Sequence, residues 1–222
     1  MAFKGGIGEN RLYLIIAALI IIVIILSIFF SSNQLVKAYI DDEYLNNLWI
    51  EDINDRTGGS SFLGLEKWSS FTYAVNDSYP AELTVNTYKF VLMISEQELI
   101  SKTIDTIKGA KSQGININQS TKITGSRMLL NGHSTNFVIY DANDTTKDPF
   151  EQVKIIGECW NCGPSGTSII CIGVAQITDN ANNNANHNYT HWAEIIKDKD
   201  GTFGSGIYQD SEGGLIFNSK CH

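Results

Sequence analysis

Residues 12–30 read LYLIIAALIIIVIILSIFF, an unbroken apolar run without a charged side chain. As a helix it would rise about 1.5 Å per residue and reach about 28 Å, close to the hydrocarbon thickness of a bilayer. Backbone polar groups in lipid need internal partners, and a helix supplies them. The run therefore predicts a single transmembrane helix. A cleaved signal peptide has a shorter apolar region ending in a small-x-small site, and SIFFSSNQL offers only a poor one after Ser32. A type IV pilin precursor is the other alternative, but the leader KGGIGENR puts no glycine cleavage point directly before the run. Lys4 and Arg11 precede the segment, and Asp41, Asp42 and Glu43 follow it. Positive flanks stay inside, so the N-terminus is expected in the cytoplasm and the chain beyond about residue 31 outside. The expected organisation is a cytoplasmic N-terminus at 1–11, a membrane helix at 12–30, a juxtamembrane stalk or linker at 31–61, and an extracytoplasmic domain at 62–222. The expected location is the cell membrane, single-pass, with the bilayer as partner of 12–30.

The part beyond the anchor holds 14 basic and 23 acidic residues, a net charge of −9. Such a surface repels phosphate backbones and disfavours nucleic-acid binding. Sequons at Asn76, Asn118, Asn143 and Asn188 are candidates for glycosylation outside the cell.

The exported part alternates strand and helix signals. LVKAYIDDEYLNNLWI has no clean apolar period, and RTGGSS at 56–61 reads as a loop or linker. AELTVNTYKFVLMIS at 81–95 predicts a strand. Ser95 and Glu98 form a capping box before a helix carrying Ile100, Ile104 and Ile107 on one face, with Gly114 as its stop. Asn131-Gly132 predicts a tight hairpin turn of the type I′ class. EQVKIIGECW and TSIICIGVAQIT predict a second hairpin around NCGPSG, the latter apolar on both faces and hence central. HWAEIIKD predicts a short helix, and GGLIFN a final strand. The fold class expected is α+β: the membrane helix, then an antiparallel sheet flanked by helices.

The approach YPAELTV at 79–85, the helix at 96–112, the hairpin LLNGHSTNFVIY at 129–140 and the helix HWAEII at 191–196 together resemble the PsbP-like and Mog1-like sandwich domains. The resemblance spans roughly residues 70 to 200. It implies a non-catalytic binding or assembly-assisting module. The cysteines and the terminal Cys-His are not part of that pattern.

Cys159, Cys162, Cys171 and Cys221 are an even number of cysteines in a compartment that permits disulfides, and all four are disulfide candidates. Three pairings exist; Cys171 to Cys221 with Cys159 to Cys162 closing the hairpin turn is one of them. Zinc is an alternative, with CWNCG at knuckle spacing and Cys221 and His222 completing four ligands. Against it, adjacent side chains diverge and a terminal histidine frays. A thiol redox centre is a further alternative, but Cys159 and Cys162 open no helix, and Glu158 would raise a neighbouring thiol's pKa.

His187 and His191 have i,i+4 spacing without the glutamate of a zinc protease, and their expected state is solvent-exposed loop histidines. His133 reads as a polar residue flanking its turn. DANDTTKD at 141–148 lacks the glycine and the bidentate glutamate of a calcium loop, and DKDG at 198–201 reads as a turn. Trp49 and Tyr44 are candidates for docking roles. No catalytic, cofactor or metal residue is assigned. The function expected from sequence is a membrane-anchored, non-catalytic binding or assembly module of the cell envelope, with other envelope proteins as partners. An envelope thiol-disulfide protein and a structural subunit of a surface array are the alternatives.

Overall fold

The helix after Ser95 forms as its sequence dictates. It runs Glu96–Gly109 (α1), and both halves of the capping box are made: the Ser95 hydroxyl accepts from the Glu98 amide, and the Glu98 carboxylate accepts from the Ser95 amide. One further 3₁₀ turn ends at Gly114, whose φ of 91° is open to glycine and strained for other residues. These features belong to a computed structural model that describes residues 15–23, 34–45, 48–61, 65–180, 187–197 and 214–222.

Eight antiparallel strands make one sheet. They are β1 (Ile50–Glu51), β2 (Thr57–Ser61), β3 (Glu66–Val75), β4 (Ala81–Phe90), β5 (Ile115–Met128), β6 (Ser134–Asp144), β7 (Glu151–Cys162) and β8 (Thr167–Gln176). The order across the sheet is β1-β3-β4-β8-β7-β6-β5, and β2 pairs with the same edge of β3 as β1. A second helix, α2, spans Thr190–Ile196. The strands β5 to β8 form a meander whose last member, β8, lies against β4, so α1 carries the chain from β4 to the far edge.

The expected α+β class is thereby corrected: the molecule is mainly an antiparallel β-sheet with few helices. TGGSS carries no apolar alternation, and EKWSSFTYAV carries it only in its second half, at Phe71, Tyr73 and Val75, yet both stretches pair along their whole length in β2 and β3. Strand preference reflects cross-strand packing more than a residue's own backbone tendency. The membrane helix is corrected as well. Among the described residues no helix is long and apolar enough to cross a membrane. Within 12–30, residues 15–23 are helical. Residues 12–14 and 24–30 lie outside the described residues. Met1–Gln34 and Leu35–His222 are separate compact units.

Side-chain alternation gives the sheet two covered faces. On one, α1 lays Leu99, Thr103 and Ile107 over Val138, Tyr140, Val153, Ile155, Cys159 and Ile170. Gly157 allows this approach, since a β-carbon there would meet Thr103 Cγ2 at 2.5 Å and Ile107 Cδ1 at 2.7 Å. On the other face, Leu83, Val85, Ile156, Trp160, Ile169 and Cys171 are covered by the segment 35–49, by α2 and by residues 214–222. Within the stretch 31–61, Ala38, Ile40, Leu45 and Trp49 are buried in this core. Tyr39 and Lys220 form an antiparallel bridge, with Tyr39 N donating to Lys220 O at 3.0 Å and Lys220 N returning to Tyr39 O at 2.8 Å. The expected strand GGLIFN is instead a turn, Leu215–Asn218, whose Leu215, Ile216 and Phe217 plug the core.

Candidate metal centre

β7 continues to Cys162, past the point where the hairpin turn was expected. Residues three apart in a strand point to opposite faces. Cys159 accordingly packs under α1 with Leu99 and Ile170, and Cys162 lies on the opposite face with Trp160 and Cys221. The structure therefore does not bring Cys159 and Cys162 together, as a dithiol or as a zinc knuckle. Cys171, opposite Glu158 in the β7–β8 ladder, is fully buried. All four sulfurs are free thiols. Burial pushes the Cys159 thiol up to about 11 and the Cys171 thiol well above its ordinary value, the reverse of what a nucleophilic thiol needs.

Cys162 has other company. The sulfurs of Cys162 and Cys221 and ring nitrogens of His133 and His222 all lie within 4.8 Å of one another. Cys162 Sγ is 3.4 Å from His222 Nδ1, Cys221 Sγ is 3.5 Å from His222 Nδ1, and Cys221 Sγ is 3.3 Å from His133 Nε2. A tetrahedral zinc with bonds of about 2.3 Å to sulfur and about 2.0–2.1 Å to nitrogen has sulfur–nitrogen edges of about 3.5–3.6 Å. The observed edges fit that frame. His222 reaches the cluster through Nδ1, the ring nitrogen nearer its backbone, which lets two adjacent residues serve one centre.

Hydrogen bonds hold the ligands' backbones. Leu129 N donates to His133 O at 3.0 Å, and His133 N donates to Asn131 Oδ1 at 3.1 Å. Gly132, at φ 79°, gives the β5–β6 loop its left-handed residue, so the turn spans Leu129 to His133 and is longer than a two-residue type I′ connection. That loop is stitched to the C-terminal segment: Asn131 Nδ2 donates to Ser219 O at 2.9 Å, and Leu130 N to Phe217 O at 3.2 Å. Such outer bonds fix the orientation of metal ligands. Cys162 and Cys221 are buried, His133 is partly buried and His222 is exposed.

The electrostatics suit a cation. Burial, then the neighbouring Cys162, pushes the Cys221 thiol up to about 12, and burial followed by the His222 charge lowers His133, favouring its neutral ring. A dication reverses the thiol's preference, because a coordinating sulfur is deprotonated. Trp160 Nε1 supports this reading. It is buried with no hydrogen-bond acceptor in good geometry, yet it stands close enough to Cys221 to favour the thiolate. A thiolate at Cys221 gives that indole its acceptor.

The remaining sequence candidates lie elsewhere. α2 begins at Thr190, so His187 is outside it; His187 Nε2 meets Gln152 Oε1 at 3.1 Å. His191 is buried between Asp77 (2.9 Å) and Glu194 (2.7 Å), whose hydrogen bonds raise its pKa to about 9. The two histidines thus have separate partners. Trp49 is buried and donates from Nε1 to Glu194 Oε2 at 3.0 Å, and Tyr44 packs against the same core. Asp141 pairs with Lys154 at 2.6 Å, and Asp144 accepts from the Thr146 amide, so the 141–148 stretch gathers no cation nest. Residues 198–201 lie outside the described residues. Asn76 and Asn118 are exposed, whereas Asn143 and Asn188 are half-buried.

Sequence reasoning had three of these four ligands in view and missed His133. The available signal was parity: once Cys162 belongs to β7, Cys159 cannot share its site. No family model, curated protein or solved structure matches this chain.

Proposed function

We propose that this chain is a metal-clasped, non-catalytic binding or assembly module of the cell envelope. Its Cys₂His₂ centre is a structural zinc site. The supporting observation is the convergence of the His133, Cys162, Cys221 and His222 ligand atoms within 4.8 Å of one another. Four protein ligands leave no position for a substrate water, which characterises structural rather than catalytic zinc. The metal would lock the C-terminal segment and the β5–β6 loop onto the end of β7, fixing Leu215, Ile216 and Phe217 in the core. The envelope location is supported by the apolar run 12–30 and its flanking charges. The non-catalytic role is supported by the four-residue set itself, since Cys162, Cys221, His133 and His222 are all taken up as metal ligands.

The test is intact mass of the full chain, purified with metals retained, before and after denaturation in the presence of an alkylating reagent. The expected result is one bound zinc per chain and four alkylated thiols on denaturation without reductant. A Cys162–Cys221 disulfide with no metal would overturn the assignment.

A further inference from the structure

α1 packs over β6, β7 and β8, and among the described residues no helix lies above the β2–β3–β4 half of the same sheet face. A depression of about 380 Å³ lies there, lined chiefly by Thr57, Glu66, Trp68, Ser70, Asn86 and Tyr88. The register explains the grouping. Trp68 is directly opposite Tyr88 and Ser70 opposite Asn86, while Thr57 and Gly59 on β2 flank Ser70 and Trp68. Gly59 is the seat for the indole: a β-carbon there would stand 3.2 Å from Trp68 Nε1 and 3.4 Å from Cε2. Lys102 of α1 walls the other side, its ammonium 3.9 Å from the Tyr88 ring centroid and 3.9 Å from Glu66 Oε1. Glu66 also accepts from the Ser61 hydroxyl at 2.6 Å.

We propose that this depression binds a neutral saccharide. The carboxylate is matched by Lys102, so the site has little net charge to offer an ionic ligand. What it presents is a half-exposed indole plane beside the Asn86 amide and the Ser70 and Thr57 hydroxyls. None of those three side chains has a hydrogen-bond partner among the described residues. An aromatic plane with one wet edge suits a ligand that is apolar on its faces and polar at its rim. A pyranose ring has that form: axial C–H groups on a face, hydroxyls around the edge. Unpaired amide and hydroxyl groups placed at that edge supply the complementary donors and acceptors. The proposal names the ligand class of the binding module above and rests on that reading only for the binding role; it does not require the metal.

The experiment titrates the full, metal-loaded chain with acetylated chitotetraose, cellotetraose, maltotetraose and mannotetraose, following the Trp68 indole and Asn86 amide resonances. At least one tetrasaccharide is expected to shift both. Trp68→Ala should weaken its binding about tenfold or more, and Asn86→Ala should weaken it severalfold. Both variants should retain stoichiometric zinc, so loss of the metal reading and loss of this one are separable. Asn86→Ala removes no packed ring and keeps the test valid if Trp68→Ala misfolds. The proposal is overturned if no tetrasaccharide moves these resonances at millimolar concentration, or if binding survives both substitutions.

Discussion

Glu158 is fully buried, and replacing it with Gln is the sharpest test of how the face carrying the candidate metal centre is held. Arg127 grips it with two nitrogens, Nε to Oε1 at 2.8 Å and NH2 to Oε2 at 2.6 Å, and its own side chain is 8% exposed. Its third nitrogen donates to Ile196 O at the end of α2, and Thr135 Oγ1 donates to Glu158 Oε1 at 2.5 Å. One carboxylate thus ties β5, β6, β7 and α2 together. A buried pair adds little over apolar side chains of the same volume, because desolvation offsets the attraction; breaking it from one side strands a charge and costs about 3–5 kcal/mol. Glu158→Gln leaves the buried Arg127 guanidinium uncompensated, so a loss in that range is expected. For a domain of this size it lowers the melting temperature by about 6–20 °C. Arg127→Met with Glu158→Leu should recover most of the loss, since neither charge then remains. Urea unfolding followed by tryptophan fluorescence gives the free energies, and Arg127→Met alone and Glu158→Leu alone close a cycle with the double variant. A single-variant loss below about 1 kcal/mol would mean that solvent reaches the pair and would refute the buried-clamp argument.

His191 has a folded pKa raised to about 9, above its ordinary 6.5, through its bonds to Glu194 and Asp77. Its contribution is fully present below about pH 6.5 and is lost as pH rises through about 9. Asp77 is half-exposed, so the effect is on the order of 1–2 kcal/mol; His191→Gln should flatten unfolding free energy between pH 6 and pH 10, and an unchanged slope would refute it. Ser95→Ala removes the hydroxyl half of the capping box and should cost about 1 kcal/mol in urea unfolding. Gly157→Ala drives a methyl into Thr103 and Ile107 and should cost about 1–3 kcal/mol by the same assay. Cys159→Ser and Cys171→Ala should leave the bound-metal stoichiometry intact, because neither sulfur belongs to the cluster; loss of metal in either variant would contradict the ligand set.

Local chemistry made α1, the β7–β8 hairpin and α2 legible. Each carries its own signal: a capping box, a glycine at a left-handed position, or a short run with Trp192, Ile195 and Ile196 on the buried side. β2 and the first half of β3 were illegible because their serines, threonines and glycines acquire strand character only from their partners, whereas Phe71, Tyr73 and Val75 offered an alternation that was missed. The C-terminal segment misled in the other direction, since LIF is apolar enough for a strand but is used as a plug at a turn. The metal centre was half visible. Cys162, Cys221 and His222 could be grouped by residue type, whereas His133 lies far off in sequence and reaches them only because the 129–133 loop is stitched to residues 217 and 219.

The most direct test of the central claim is the absorption spectrum of the full chain titrated with cobalt(II) in place of zinc. The account predicts saturation at one equivalent, with thiolate-to-cobalt charge-transfer bands and the intense visible absorption of a tetrahedral ion. Zinc should abolish these bands, and His133→Ala should weaken or alter them while Cys159→Ser does not. Weak octahedral absorption, or a full tetrahedral spectrum that requires Cys159 and is indifferent to His133, would contradict it.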